Sequence, residues 1–220
     1  MVTTPGLIEI LAAHATPVRR LRPPLLRAAL FLLAAGLILI ALAALYGPRP
    51  DLAERLGQPT FAAALAGSLL TAALAVIAAF HLSLPDRSRL WLLLPVPALV
   101  LWVSTTGYGC LTDWVGIGPD GVELGTTLEC FATLVIASVP SLVILLVMLR
   151  HAARLHPTTV AMMGGLASAG VAATALSLFH EIDASVLVLL WTLGTTALIV
   201  ALSGVLGPRL FASISPARID

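Results

Sequence analysis

The chain has 220 residues, 59% of them apolar and only 10% charged, with a mean hydropathy of +1.04. A soluble domain carries about 45–50% apolar and about 25% charged residues, so a water-soluble enzyme and a disordered chain are excluded, and a multi-span membrane protein is expected. Twelve basic against 11 acidic residues give a net charge of +1, too balanced for a nucleic-acid-binding surface. Every basic residue is Arg and none is Lys, which removes Schiff-base chemistry. The two Cys cannot alone build a four-thiolate zinc or iron–sulfur site.

The chain begins with a polar tail, residues 1–24. It has no small-residue cleavage site and runs into a full-length apolar segment, so it reads as a retained anchor rather than a secretory signal. Within it, Leu7, Ile8, Leu11, Ala12 and Ala15 fall on one stripe of a short helix, with Glu9 on the other side. Thr16-Pro17 stops that helix, and Val18, Arg19, Arg20, Leu21, Arg22 and two prolines continue as a stiff basic stretch. Two readings stay open. The helix lies on the lipid surface while the arginines set topology, or its stripe enters a groove on a cytoplasmic protein.

About 20 mostly apolar residues cross the hydrocarbon layer, and six such runs are present. They are roughly Leu25–Tyr46, Thr60–Phe80, Leu90–Thr106, Thr126–Leu149, Thr158–Phe179 and Ala184–Leu206. Proline, glycine and charge cluster between them. Pro95 and Pro97 should kink the third run. The predicted fold is therefore an all-α bundle of six transmembrane helices, residues 25–206, with a short C-terminal tail at 207–220. Ten arginines (19, 20, 22, 27, 87, 89, 150, 154, 209 and 218) fall on one side of that topology. The other side holds only Arg49 and Arg55, offset by Asp51 and Glu54. Arginine marks cytoplasmic loops, which places both termini in the cytoplasm. The tails and loops are too short to fold unaided, so the bundle or segments displayed from it must do the work.

The spans offer little chemistry. The second, third, fifth and sixth carry no ionisable residue in their interiors, whereas transporters and pumps place such groups in the bilayer. Arg27 and Glu129 lie close enough to span ends to snorkel. No Gly-x-Ser-Gly and no HExxH occurs, so no protease site is signalled and no catalytic residue is assigned. Thr71, Ser138, Ser141, Thr174, Thr195 and Thr196 read as interhelical packing and hydrogen-bonding groups.

Cys110 ends the third run and Cys130 starts the fourth, both near the outer, oxidising side. A bridge between them would be a structural staple worth about 3 kcal/mol for a loop of roughly 20 residues, or a reducible switch at a helix junction; unpaired thiols are the third possibility. A thiol oxidase normally needs a Cys-x-x-Cys pair or a second dithiol, and neither is present. His180, Glu181 and Asp183 form a weak metal candidate at an outer turn, where Asp183 more naturally caps the sixth helix. His81, His151 and His156 are too scattered for a ligand set, and Tyr108, Trp114 and Trp191 read as interface anchors.

The stretches PVRRLRPP (17–24), GYGCLTDW (107–114) and LFHEIDASVLVLLW (178–191), in this order on a six-span chain, resemble the NrsF family of bacterial membrane anti-sigma factors. The resemblance implies a non-enzymatic, cofactor-free, multi-pass protein of the bacterial inner membrane. It would sequester an extracytoplasmic-function sigma factor and release it on oxidative or metal stress sensed at Cys110 and Cys130. Its partners would be that sigma factor and the lipid bilayer, with no direct nucleic-acid contact; self-association stays open. The sigma-binding element would be the tail: the resemblance covers Val18, Arg19, Arg20, Leu21 and Arg22, and the helical pattern, not the resemblance, adds Leu7, Ile8, Leu11 and Ala15 to the contact set. The competing reading is a small membrane transporter or a thiol–disulfide oxidoreductase.

Overall fold

A computed structural model of the chain describes residues 22–113, 124–149 and 157–179, with single positions scattered through 4–13 and 194–209; side chains at 109–113 and 124–134 are outside the description. Among the described residues the structure is helical and holds no strand.

Helix α1 is Pro24–Tyr46, α2 Leu52–Leu56, α3 Pro59–Leu82, α4 Val96–Asp113, α5 Leu124–Leu149 and α6 Pro157–Phe179, with a 3-10 segment at Arg89–Leu93 before α4. Three of them open on proline, whose fixed φ suits a first turn and whose missing N–H has no intrahelical acceptor to lose. Helix α1 ends at Gly47, where a φ of 75° turns the chain and the Gly47 N–H donates to Ala43 O at 3.0 Å. The predicted kink in the third run takes the form of a change of helix type. Ser88 Oγ accepts from the Leu90 N–H to start the 3-10 segment, and α4 begins at Val96, which leaves Pro95 outside the helix and Pro97 in its first turn. The five-residue α2 was not expected, because the sequence there reads as a turn.

Pro24–Tyr46, Pro59–Leu82, Arg89–Tyr108 and Pro157–Phe179 are long and apolar enough to cross a membrane, and α5 adds an apolar stretch at Val135–Leu149. Leu33, Leu37, Ile40 and Leu45 on α1 are all exposed. A water-soluble protein does not tolerate such a face, whereas a bilayer covers it. The sixth predicted run falls on residues of which only single positions are described. Among these, Val200 packs against the core, and a methyl group on Gly204 would sit 3.1 Å from Met162 Cγ.

Helix α6 is the centre of the bundle and is buried from Val160 to Leu176 almost without interruption, because nearly every residue there is Gly, Ala, Ser or another small side chain. It packs most extensively on α3 and next on α5, while α4 lies on the other flank of α3. Small residues let these backbones approach, which is how helices associate where lipid offers no hydrophobic contrast. A methyl group on Gly67 would lie 2.9 Å from Trp102 Cα, and one on Gly170 would lie 2.9 Å from Ser68 O. Ser68 Oγ meets Thr174 Oγ1 across the α3–α6 contact at 3.0 Å. Thr71, Ser141 and Thr174 also return to carbonyls one turn back on their own helices. Thr195 and Thr196 are outside the described residues.

The helices alternate in direction. The start of α1 and the ends of α3 and α5 meet at one end of the bundle, where Arg27 touches both Phe80 and Met148. The chain after α1 meets the start of α3 and the end of α6 at the other end, through Arg49, Phe61 and Leu178.

Candidate functional site

The two ends differ in charge. Arg22, Arg27, Arg87 and Arg89, with Asp86 as the one described acid in the connection there, stand at the first, which we call the basic end; Arg49, Asp51, Glu54 and Arg55 stand at the opposite end.

At the basic end Arg27 is 6% exposed, although it lies only four residues into α1. Its guanidinium donates from Nη2 to the carbonyl of Met148, in the last turn of α5, and sits 4.5 Å from the centroid of the Phe80 ring on α3. Last-turn carbonyls lack helical partners and carry the negative end of the helix dipole, and an aromatic face attracts a cation. Arg27 therefore spans three helices, and among the described residues no carboxylate pairs with it. The expected snorkelling to the interface is replaced by burial, since the end of α5 is close enough to satisfy the charge from within. Beside it, the His81 ring stacks on Trp91 at 3.9 Å and 3° between planes, which ties α3 to the 3-10 segment; His81 Nδ1 is buried without a hydrogen-bond partner. Arg22, Arg87 and the segment Pro85–Leu90 are exposed.

At the opposite end Arg49 is 5% exposed and fully paired. Its Nε and Nη2 donate to Asp51 Oδ1 and Oδ2 at 2.5 and 2.8 Å, and Arg55 Nε reaches Asp51 Oδ2 at 3.2 Å. The bidentate arrangement is the strong form of such a pair. The Arg49 hydrogen bonds, with help from Arg55, hold the Asp51 carboxyl down from 3.8 to about 2. The Arg49 backbone N–H donates to Leu178 O at 3.1 Å, so the loop after α1 is fastened to the last turn of α6.

Of the residues singled out from sequence, Cys110 lies on the last turn of α4 and Cys130 on the second turn of α5; their side chains are outside the described set. Both helix ends belong to the end of the bundle that holds Arg49. Leu7, Ile8, Leu11, Ala15, Val18, Arg19, Arg20 and Leu21 of the tail, and His180, Glu181 and Asp183, also lie outside the described residues, and Arg22 is exposed. No group of three His, Cys, Asp or Glu that could hold a metal ion occurs among the described residues. Sequence reasoning missed Arg27 as a buried tie. The available signal was a lone Arg one turn inside an otherwise apolar helix with no acid within reach on the same helix.

Among the described residues, apolar helices pack around α6, with a closed ion pair at one end and an array of arginines at the other. No curated protein and no solved structure matches the chain. The family model for NrsF, negative regulator of sigma F, matches residues 11–212. That match takes in the basic half of the tail and every described helix, and the chain belongs to the NrsF family of negative regulators of sigma F.

Proposed function

We propose that the chain is a membrane anti-sigma factor that holds an extracytoplasmic-function sigma factor at the bacterial inner membrane and releases it on oxidative or metal stress. The observation that carries this is the family match over 11–212, which runs from the tail through the membrane helices. The distribution of arginine supports the sidedness: the basic end faces the cytoplasm, where the partner is. The tail, from Leu7 to Arg22, is the grip. It combines an apolar stripe for a groove with arginines for acidic side chains.

The sensing step is thiol chemistry at Cys110 and Cys130, on the oxidising side. Oxidation by a peroxide removes two electrons and two protons from the thiol pair, forms one S–S bond and yields two waters; a soft metal ion instead displaces the two protons. Either event changes the packing of α4 and α5 at their outer ends. Moving a partner from 99:1 bound to 1:99 takes about 5.5 kcal/mol, more than one loop-closing bridge supplies, so a graded release is expected.

Deleting the chain raises sigma-dependent transcripts in unstressed cells, and unchanged transcripts would contradict the proposal. Replacing Cys110 and Cys130 by Ser leaves insertion intact and fixes those transcripts at one level. A doubly substituted chain that still responds to peroxide and to cadmium rejects the cysteine part alone.

A further inference from the structure

We infer that Arg27 is the residue that positions the sigma-binding tail, by fastening the start of α1 to the end of α5. The inference rests on the proposed function only for what the tail holds; the fastening itself stands on geometry.

Helix α1 begins at Pro24, directly after the basic stretch, so the direction in which the tail leaves the bundle is set by how the first turn of α1 is held. Over residues 25–31 the side chains of Leu25, Leu26 and Leu30 lie on the lipid-facing side, and Arg27, Ala28 and Phe31 are buried against the bundle; Arg27 is the one of these three that makes a polar tie to another helix. The Arg27 backbone N–H closes the first helical turn on Pro23 O at 3.1 Å, and its side chain leaves the helix to reach Met148 and Phe80. Any residue here would make that backbone bond; the Arg27 side chain is what fixes the helix start against two neighbours.

Helix α5 is the element that joins this point to the far end of the bundle. It runs 26 residues from Leu124 to Leu149 and carries Cys130 near its start and the Met148 carbonyl in its last turn. Pro140 lies between them and deprives the Ile136 carbonyl of its helical N–H, which gives α5 a bending point. The half of α5 beyond Pro140 can therefore swing about that point, and the Arg27–Met148 bond ties its position to the start of α1.

The test is hydrogen exchange read by mass spectrometry on the full chain in phosphatidylethanolamine–phosphatidylglycerol nanodiscs. Arg27→Met should raise exchange about tenfold at residues 27–30 and at 145–149, and leave residues 49–58 and the middle of α3 at their wild-type rates. Arg27→Lys, which can still donate to Met148, should recover part of the protection. Phe80→Leu, which removes the aromatic face along with a little core volume, should raise exchange at 27–30 about threefold and covers the case in which Arg27→Met fails to insert. Arg22→Ala is the exposed control and should change nothing in α1. Wild-type exchange at 27–30 in Arg27→Met, or a rise spread evenly over the bundle, overturns the inference. Loss of the proposed function reads differently: sigma-dependent transcripts would ignore deletion of the chain while the exchange pattern held.

Discussion

Among the described residues each end of the bundle buries one arginine, and the two are held by different chemistry. Arg49 is matched by a carboxylate two residues away, with both oxygens engaged, and its backbone is fastened to Leu178 on α6. Among the described residues Arg27 has no such acid; a carbonyl of α5 and the face of Phe80 on α3 hold it. The carboxylate partner of Arg49 is supplied by its own loop, while its backbone N–H and guanidinium also meet Leu178 on α6 and the Phe61 ring on α3. Both side-chain partners of Arg27 sit on other helices, so its attachment depends on where those helices are. A charge neutralised within one loop and a charge satisfied only across helices differ in what loosens them.

The comparison can be broken from several directions. The largest effect is expected in the middle of the bundle, where Gly67→Leu would drive a side chain into the Trp102 backbone. It should cost about 3 kcal/mol or more and loosen both ends together, seen as a lower unfolding midpoint in detergent and early loss of protection at residues 27–30 and 49–58 alike. Next comes Arg27→Met, which should cost about 2 kcal/mol through the lost charged hydrogen bond and ring contact, with the loosening confined to the basic end. Asp51→Asn should have a smaller effect. It leaves a buried Arg49 without its counter-charge and so destabilises more than Arg49→Met, which leaves Asp51 to Arg55 and water. The order of those two midpoints is the check.

The smallest effect is that of pH. Asp51 titrates lower in the folded protein than in the unfolded one, about 2 against 3.8. Its contribution is therefore complete above the unfolded value and is lost as pH falls from about 4 towards 2. Exchange at residues 49–58 should rise over that window while residues 27–30 hold steady, because no carboxylate pairs with Arg27 among the described residues. Equal acid sensitivity at both ends would erase the distinction.

The helices were legible from local signals. The runs predicted at Leu25–Tyr46, Thr60–Phe80 and Thr158–Phe179 begin within one residue of α1, α3 and α6 and end within two, because hydropathy and proline are properties of the chain itself. Pro95 and Pro97 foretold a break in the third run, though not its 3-10 form, which depends on Ser88 capping Leu90. The five residues of α2 were hidden by Pro50 and Gly57 on either side. Arg27 was misread for a different reason. Whether an arginine one turn inside a span reaches water or a neighbour depends on which helix ends beside it, and Met148, in the last turn of α5, lies 121 residues later in the chain. His81 likewise read as one of three scattered histidines until Trp91 was found parallel to its ring. The contact set from Leu7 to Leu21, the sulfurs of Cys110 and Cys130, and the turn at His180–Asp183 fall outside the described residues, and their roles rest on pattern and resemblance.

Whether the basic end of this bundle holds a sigma factor through the tail is read by quantitative co-purification: solubilise the tagged chain from unstressed cells of its own kind and identify what stays bound. One sigma factor should remain in near-stoichiometric amount and be lost when Arg19, Arg20 and Arg22 are replaced together by Ala. A wild-type chain that leaves the membrane intact and brings down no sigma factor would contradict the proposed function.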